Sequence, residues 1–437
     1  MNPWAWRHGA LLLLATTLGC GDDAAPQAGT EATGAEGSST QGALTTTTTA
    51  TGTADDTVDD DTTDDGIDAS DSGSTGAPTQ CGNGIVEPGE LCFLPPSYVQ
   101  VGMAPADVIA VDIHGDGLAD LVTANVGGSS HTIAAGLADG TFGRPTDIAA
   151  GSGTRGIAAG HLDDDGNLDL VGANQGTNYI ALYFGDGRGG FTPQMPVAAG
   201  DSPRQVRIVD VDGDGDADIV TAAEESDDVN VLLGDNSGSF VPAVAYPVGP
   251  NPYDLALDDL DGDGNPDIVT ANEGENTVSV LWGQGDGTFE PEQRHTVDVG
   301  ARSVEIADVD GDGSLDVVAA CFDSGVVAIL LGDGARGFAD YVPLPVGKEP
   351  YAVEAADMNG DDRLDLVTVN RASAEVSVLL GMPGPMPFSD EFSFLLTRNV
   401  NSNPLAAALG DFNEDGVPDI AVVAAGASAV AVLLSDP

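Results

Sequence analysis

A nine-residue stretch, DVDGDGDAD (210–218), recurs along the chain at a fixed spacing, and that spacing restricts the fold more than any other feature. Its counterparts are DIHGDGLAD (112–120), HLDDDGNLD (161–169), DLDGDGNPD (259–267), DVDGDGSLD (308–316), DMNGDDRLD (357–365) and DFNEDGVPD (411–419). The starts at 112, 161, 210, 259, 308, 357 and 411 give five intervals of 49 residues and a last one of 54. A period of this length marks a repeat architecture. Each loop lies between apolar runs (VRIVDVD, then DIVTAA). A third run ends in Leu-Gly (VNVLLG), and a Phe-led fourth stretch follows (FVPAVAYPVG). Such β-branched runs bounded by Gly and Asp read as four strands, which make one antiparallel blade. A lone blade cannot cover both faces, so neighbours stack radially. The expected fold is all-β, a seven-bladed β-propeller of four-stranded antiparallel blades.

The two ends of the repeat region complement each other. The last unit stops at VAVLLSDP, after its third strand, while FLPPSYVQVG (93–102) precedes the first unit as an unassigned fourth strand. Its Phe-to-Gly interval of nine residues matches Phe142–Gly151, Phe191–Gly200, Phe240–Gly249 and Phe338–Gly347. Residues 93–102 are therefore expected to complete the seventh blade, which removes two strand edges. The longer last interval is assigned to an insertion near Met382 to Glu391.

Carboxylates at loop positions 1, 3, 5 and 9, with Gly at position 6, gather hard oxygens around one point. Without His or Cys donors this favours Ca²⁺ over Mg²⁺, which keeps its waters and demands an octahedron. Turn-favouring Asp and Gly without a metal would explain one copy but hardly seven. Position 12 is Thr123, Gly172, Thr221, Thr270, Ala319, Thr368 or Val422, never the Glu of an EF-hand. The strand-flanked loop resembles the FG-GAP (VCBS-type) repeat of integrin α-subunit propellers and bacterial surface proteins, over roughly residues 93–437. The resemblance implies several structural calcium ions, one in the hairpin between the first two strands of each blade.

Carried over residue by residue, three loops have four aspartates each: Asp210, Asp212, Asp214 and Asp218; Asp259, Asp261, Asp263 and Asp267; Asp308, Asp310, Asp312 and Asp316. The seventh offers Asp411, Asn413, Asp415 and Asp419. The sixth offers Asp357, Asn359, Asp361 and Asp365, with Asp362 where Gly is usual. The first keeps Asp112, Asp116 and Asp120 beside His114, and the second keeps Asp163, Asp165 and Asp169 beside His161. Weaker or absent metal is expected in those two.

A formal charge of −58 excludes a nucleic-acid partner, which needs a basic footprint. At the N-terminus, Arg7 followed by the short apolar run Ala10–Ala15 reads as an export signal rather than a membrane span. Thr17-Leu18-Gly19-Cys20 resembles a bacterial lipoprotein signal (1–20). This implies acylation of Cys20 and a membrane anchor, and Gly21 favours the outer membrane or cell surface. Ordinary cleavage to a secreted protein is the alternative. Residues 21–80, rich in Thr and Asp and without Lys or Arg, read as a disordered tether. In CGNGIVEPGELC (81–92), export makes a Cys81–Cys92 disulfide plausible, and the segment resembles the start of Cys-rich modules of myxobacterial surface proteins. Cys321, in an apolar run, reads as an inert buried thiol.

A second phased position lies six residues before each loop: Ala106, Arg155, Arg204, Tyr253, Arg302, Tyr351 and Leu405. First strands of a propeller line its axis, so Arg155, Arg204, Tyr253, Arg302 and Tyr351 could converge there as a ligand-binding face. The competing reading pairs each Arg with one of the many local acids. No HExxH, GxSxG or P-loop is present, GSGTRG (151–156) aligns with interblade turns, and His131 and His295 read as surface residues. The expectation is a calcium-binding, extracytoplasmic, non-enzymatic binding or adhesion module for a glycan or protein ligand. Its rivals are a polysaccharide-degrading lyase or hydrolase using the Arg/Tyr ring, and a purely structural envelope protein.

Overall fold

The computed structural model describes residues 91–383, 388–389, 391–396 and 402–435. Cys20, Cys81, the expected signal and tether, and residues 384–387 and 390 of the expected insertion lie outside them. Cys92 is disulfide-bonded.

Seven antiparallel sheets follow one another along the chain, and in all but the last the strands hydrogen-bond in sequence order. Blade three is representative: Pro203–Val209, Asp218–Ala223, Asp228–Leu232 and Val244–Pro247. In blade two the outer strand is split into Phe191–Pro193 and Val197–Ala198, both on Tyr179–Gly185. Second strands are buried along their whole length, as in Asp267–Asn272, because blades pack on both of their faces. Their sequences are accordingly apolar runs rather than alternations. The core is a series of interblade layers. Val269, Ala271, Val280 and Trp282 of blade four meet Val304, Ile306, Val317 and Ala319 of blade five.

Ring closure occurs through the chain's early strand. Ser97–Gln100 pairs antiparallel with Ala429–Leu433, in register Ser97↔Val432 through Gln100↔Ala429. Phe93 bridges Ser435 as Phe142 bridges Gly136 in the first blade.

The Gly at or just past the end of the third strand in six blades, replaced by Ser435 in the seventh, has a steric cause. A Cβ on Gly234 or Gly283 would lie 2.2 Å from the carbonyl oxygen of Ala217 or Pro266 in the blade's own loop. Cys321 is fully buried, and burial pushes its thiol up to about 12, which keeps it protonated and inert.

All seven first strands line a central cavity of about 1230 Å³. Each first strand carries a register shift between its first residue and the third or fourth, for example Pro203/Gln205 and Pro252/Asp254. The residue inside that bulge is the phased position of Arg155, Arg204, Tyr253, Arg302 and Tyr351. Bulges re-aim side chains.

Candidate functional site

The acidic loops build themselves from aspartate-to-backbone hydrogen bonds. In loop three, Asp210 accepts from the N–H groups of Gly213 (2.7 Å) and Gly215 (2.9 Å). Asp212 accepts from Asp214 N–H at 3.2 Å, and Asp214 from Asp216 N–H at 2.8 Å. Asp212 and Asp214 each bond two residues ahead, as Asx turns do, while Asp210 reaches three and five residues ahead. Position 4 is left-handed in six loops, at Gly115, Gly213, Gly262, Gly311, Gly360 and Glu414, but not at Asp164 of loop two.

Position 9 is different in kind. Asp218 is buried and accepts two backbone N–H bonds, from Val211 and Gly234, both at 2.8 Å. Asp120, Asp169, Asp267, Asp316, Asp365 and Asp419 make the same pair of bonds. These carboxylates staple the loop to the end of the third strand. Burial nevertheless pushes Asp218, Asp267 and Asp365 up to about 7, and Asp316 and Asp419 up to about 6, against the pull of those donors. A shift of that sign is what desolvation of an anionic group produces.

Three clusters bring carboxylate oxygens within 4.8 Å of one another: Asp210, Asp212 and Asp218; Asp259, Asp261 and Asp263; Asp308, Asp310 and Asp316. All-oxygen, multiply anionic donor sets suit a hard divalent cation, so these residues fit calcium by their chemistry. The other loops differ. His114 Nδ1 lies 2.7 Å from Asp120 Oδ2 and sets an imidazole at the position-9 carboxylate. His161 Nδ1 lies 2.8 Å from the Asn167 carbonyl, the position-7 oxygen a metal would use. In loop six Arg363 pairs with Asp361 at 3.1 Å. In loop seven Asn413 Oδ1 accepts from Asp415 N–H at 3.2 Å, and its Nδ2 donates to Asp415 Oδ2 at 2.8 Å.

The bulge residues meet at one mouth of the cavity. Arg204 is buried, with Cζ 3.2 Å from the Tyr253 ring centroid, Nη1 2.9 Å from Glu224 and Nη2 3.3 Å from the Tyr351 hydroxyl. The two tyrosine hydroxyls hydrogen-bond, and their rings meet edge to face at 5.6 Å. Arg302 Cζ lies 3.4 Å over Phe322, while its guanidinium pairs with Glu273 at 2.5 Å. Arg155 Nε donates to Gln175 at 2.5 Å, and Gln175 in turn donates to Glu224. Burial and the neighbouring Arg204 both lower the Arg155 pKa. The residues are brought together, and two of the three arginines are also neutralised by glutamates. Among the described residues Arg155 alone of the three has no carboxylate partner.

Sequence reasoning missed the second ring. Gln175, Glu224, Glu273 and Phe322 each lie fourteen residues after their loop starts at 161, 210, 259 and 308, so the same phasing would have found them. It also misplaced His131, which is fully buried, with neither ring nitrogen partnered, edge-on to Tyr183 at 5.4 Å. His295 is half-buried against Phe338.

Fold and loops together define a class: β-propellers with an acidic hairpin loop after the first strand of each blade. The FG-GAP-like repeat model matches residues 161–221, 210–270, 259–319 and 308–368, each match running from one loop through the next. The protein is a seven-bladed β-propeller whose residues 161–368 carry FG-GAP-like repeats. No curated protein sequence matches it. Among solved structures, it is similar to BBS1N, crystallised in complex with ARL6DN, at TM-score 0.56 and 14% identity over 79% of this chain and 97% of that one. It is also similar to Kuenenia stuttgartiensis hydrazine synthase, at 0.53 and 14% over 77% and 97%. A functionally unknown Desulfotomaculum acetoxidans protein matches at 0.52 and 12% over 69% and 87%. Identities this low speak to the fold alone.

Proposed function

We propose that this propeller is a calcium-stabilised, extracytoplasmic binding module that presents its Arg/Tyr mouth to a glycan or protein ligand. The observation that carries the calcium part is the convergence of three carboxylates within 4.8 Å in loops three, four and five. Bound calcium would supply counter-charge and cross-link each hairpin, and the chain's own aspartates would hold it. The ligand part is supported by seven bulges aimed at one axis, five of them carrying Arg or Tyr. With Arg204 and Arg302 held by glutamates and stacked on rings, Arg155 is the group left to meet a ligand's acceptor. The amino-terminal features support export and a lipid anchor at Cys20.

The test is retention on a panel of acidic and neutral polysaccharides and envelope proteins in millimolar calcium, with product formation recorded alongside. Retention that Arg155→Ala abolishes is the expected result. Product formation would transfer the protein to the enzyme class, and retention indifferent to Arg155 would place the ligand elsewhere.

A further inference from the structure

Loops three, four and five have the same four aspartates, so sequence alone ranks them equal for a cation. The structure does not. Arg336, in the turn between the third and fourth strands of blade five, reaches across the interblade boundary into loop four. Its Nε lies 2.6 Å from Asp261 Oδ2, Nη2 lies 3.7 Å from Asp263 Oδ2, and Nη1 lies 2.9 Å from Glu290. Asp261 Oδ1 already accepts the Asp263 N–H at 3.1 Å. The oxygen that Arg336 takes is therefore the one the loop's own fold leaves for a metal. Among the described residues no Arg or Lys pairs with the carboxylates of loops three or five.

The carboxylate geometry differs accordingly. In loops three and five the converging oxygens come from positions 1, 3 and 9. In loop four they come from Asp259, Asp261 and Asp263, on the side Arg336 approaches, and Asp267 is not among them. The same turn lies beside the preceding loop elsewhere in the ring: a Cβ on Gly287 of blade four would sit 3.4 Å from Asp212 Cβ of loop three. Where the turn beside loop three carries Gly287, the turn beside loop four carries Arg336.

We propose that Arg336 is a built-in competitor that makes loop four the weakest calcium site of the three all-aspartate loops. This rests on the calcium reading above. Two effects act in the same direction. A dication must displace the guanidinium from Asp261 Oδ2, and the displaced charge, tethered nearby, repels it. Arg336 is more than a third exposed, so salt screens the repulsion. Loops three and five then hold the fold, while loop four loads and empties at higher external calcium.

The molecule carries its own reporter for this site. Trp282 is the only tryptophan besides Trp4 and Trp6, is fully buried, and has its ring 5.2 Å from Arg336 Cζ. In the full chain with Trp4→Phe and Trp6→Phe, terbium emission excited through Trp282 reports the nearest metal loop, and calcium competition gives that loop's Kd. Arg336→Gln, and separately Arg336→Ala, should tighten the site about tenfold at low salt. Arg336→Lys should bind like the parent, and the gap between parent and Arg336→Gln should narrow in high salt. Equal or weaker binding in both neutral variants overturns the proposal and leaves the calcium assignment standing. Absence of calcium-displaceable emission in parent and variants alike overturns both.

Discussion

Single residues in the loops differ in how far they would hold a metal and how far they hold backbone, and a chelator separates the two contributions. Asp267→Ala strands two buried N–H groups and should cost on the order of 3 kcal/mol whether or not calcium is present. Asp310→Ala removes a carboxylate of the loop-five cluster and no buried staple, so its destabilisation should be present in calcium and largely vanish in excess chelator. Equal losses in chelator would refute the division; urea melts of both variants in each condition measure it. Asp362 occupies a left-handed conformation (φ +65°) where loops one, three, four, five and seven have Gly at φ between +88° and +92°. An L-residue is strained there, although Asp tolerates it better than most. Asp362→Gly should raise stability by about 0.5–1 kcal/mol, read as a shift of the urea midpoint at constant slope.

At the scale of packed strands, one pair of positions breaks the repeat and repairs itself. The third-strand position of His131 is Ile180, Val229, Val278, Val327, Val376 or Val430 in the other blades. The facing second-strand position of Gly172 is Thr, Ala or Val in the other blades. A Cβ on Gly172 would lie 2.4 Å from His131 Nε2, so the missing side chain makes room for the imidazole. Gly172→Thr alone should be strongly destabilising, His131→Val alone should leave a cavity, and the double variant should recover most of the loss, as coupled neighbours do. Additive losses would show that the two positions are not coupled.

The same histidine gives a pH signature. Burial pushes His131 down to about 4 from its usual 6.5. Folded His131 is then neutral while the unfolded chain binds a proton below 6.5, so its contribution falls as pH drops from 6.5 toward 4, by up to roughly 3 kcal/mol. Thermal melts at pH 7.5 and 5 should therefore diverge more for the parent than for the His131→Val/Gly172→Thr variant. Parallel pH profiles would exclude His131 as the cause.

For the whole molecule, stability depends on closing the ring. Ser97–Gln100 contributes the outer strand of the last blade, and Tyr98 adds a hydrogen bond to the Leu396 carbonyl of the neighbouring blade. A chain beginning at residue 103 should melt in a broader, lower transition and tend to associate through its open edge. An unchanged melt would mean that closure is dispensable.

The 49-residue period, the Asp-Gly loops and the displaced Phe-led strand determined the blade number, the loop positions and the closure, because those are properties of one unit repeated and of its missing part. Phasing also brought Arg155, Arg204, Tyr253, Arg302 and Tyr351 to one place, since a bulge at the same register aims each of them at the axis. Tertiary structure alone decided what those residues meet there: Glu273 of blade four neutralises Arg302 of blade five across the interblade boundary, while Glu224 neutralises Arg204 within blade three. It alone separated three loops that share four aspartate positions, because Arg336 reaches Asp261 from 75 residues away along the chain. It alone buried His131 against Gly172. Repeats encode what lies within a blade, whereas charge and volume are matched between blades, where sequence distance carries no information about contact.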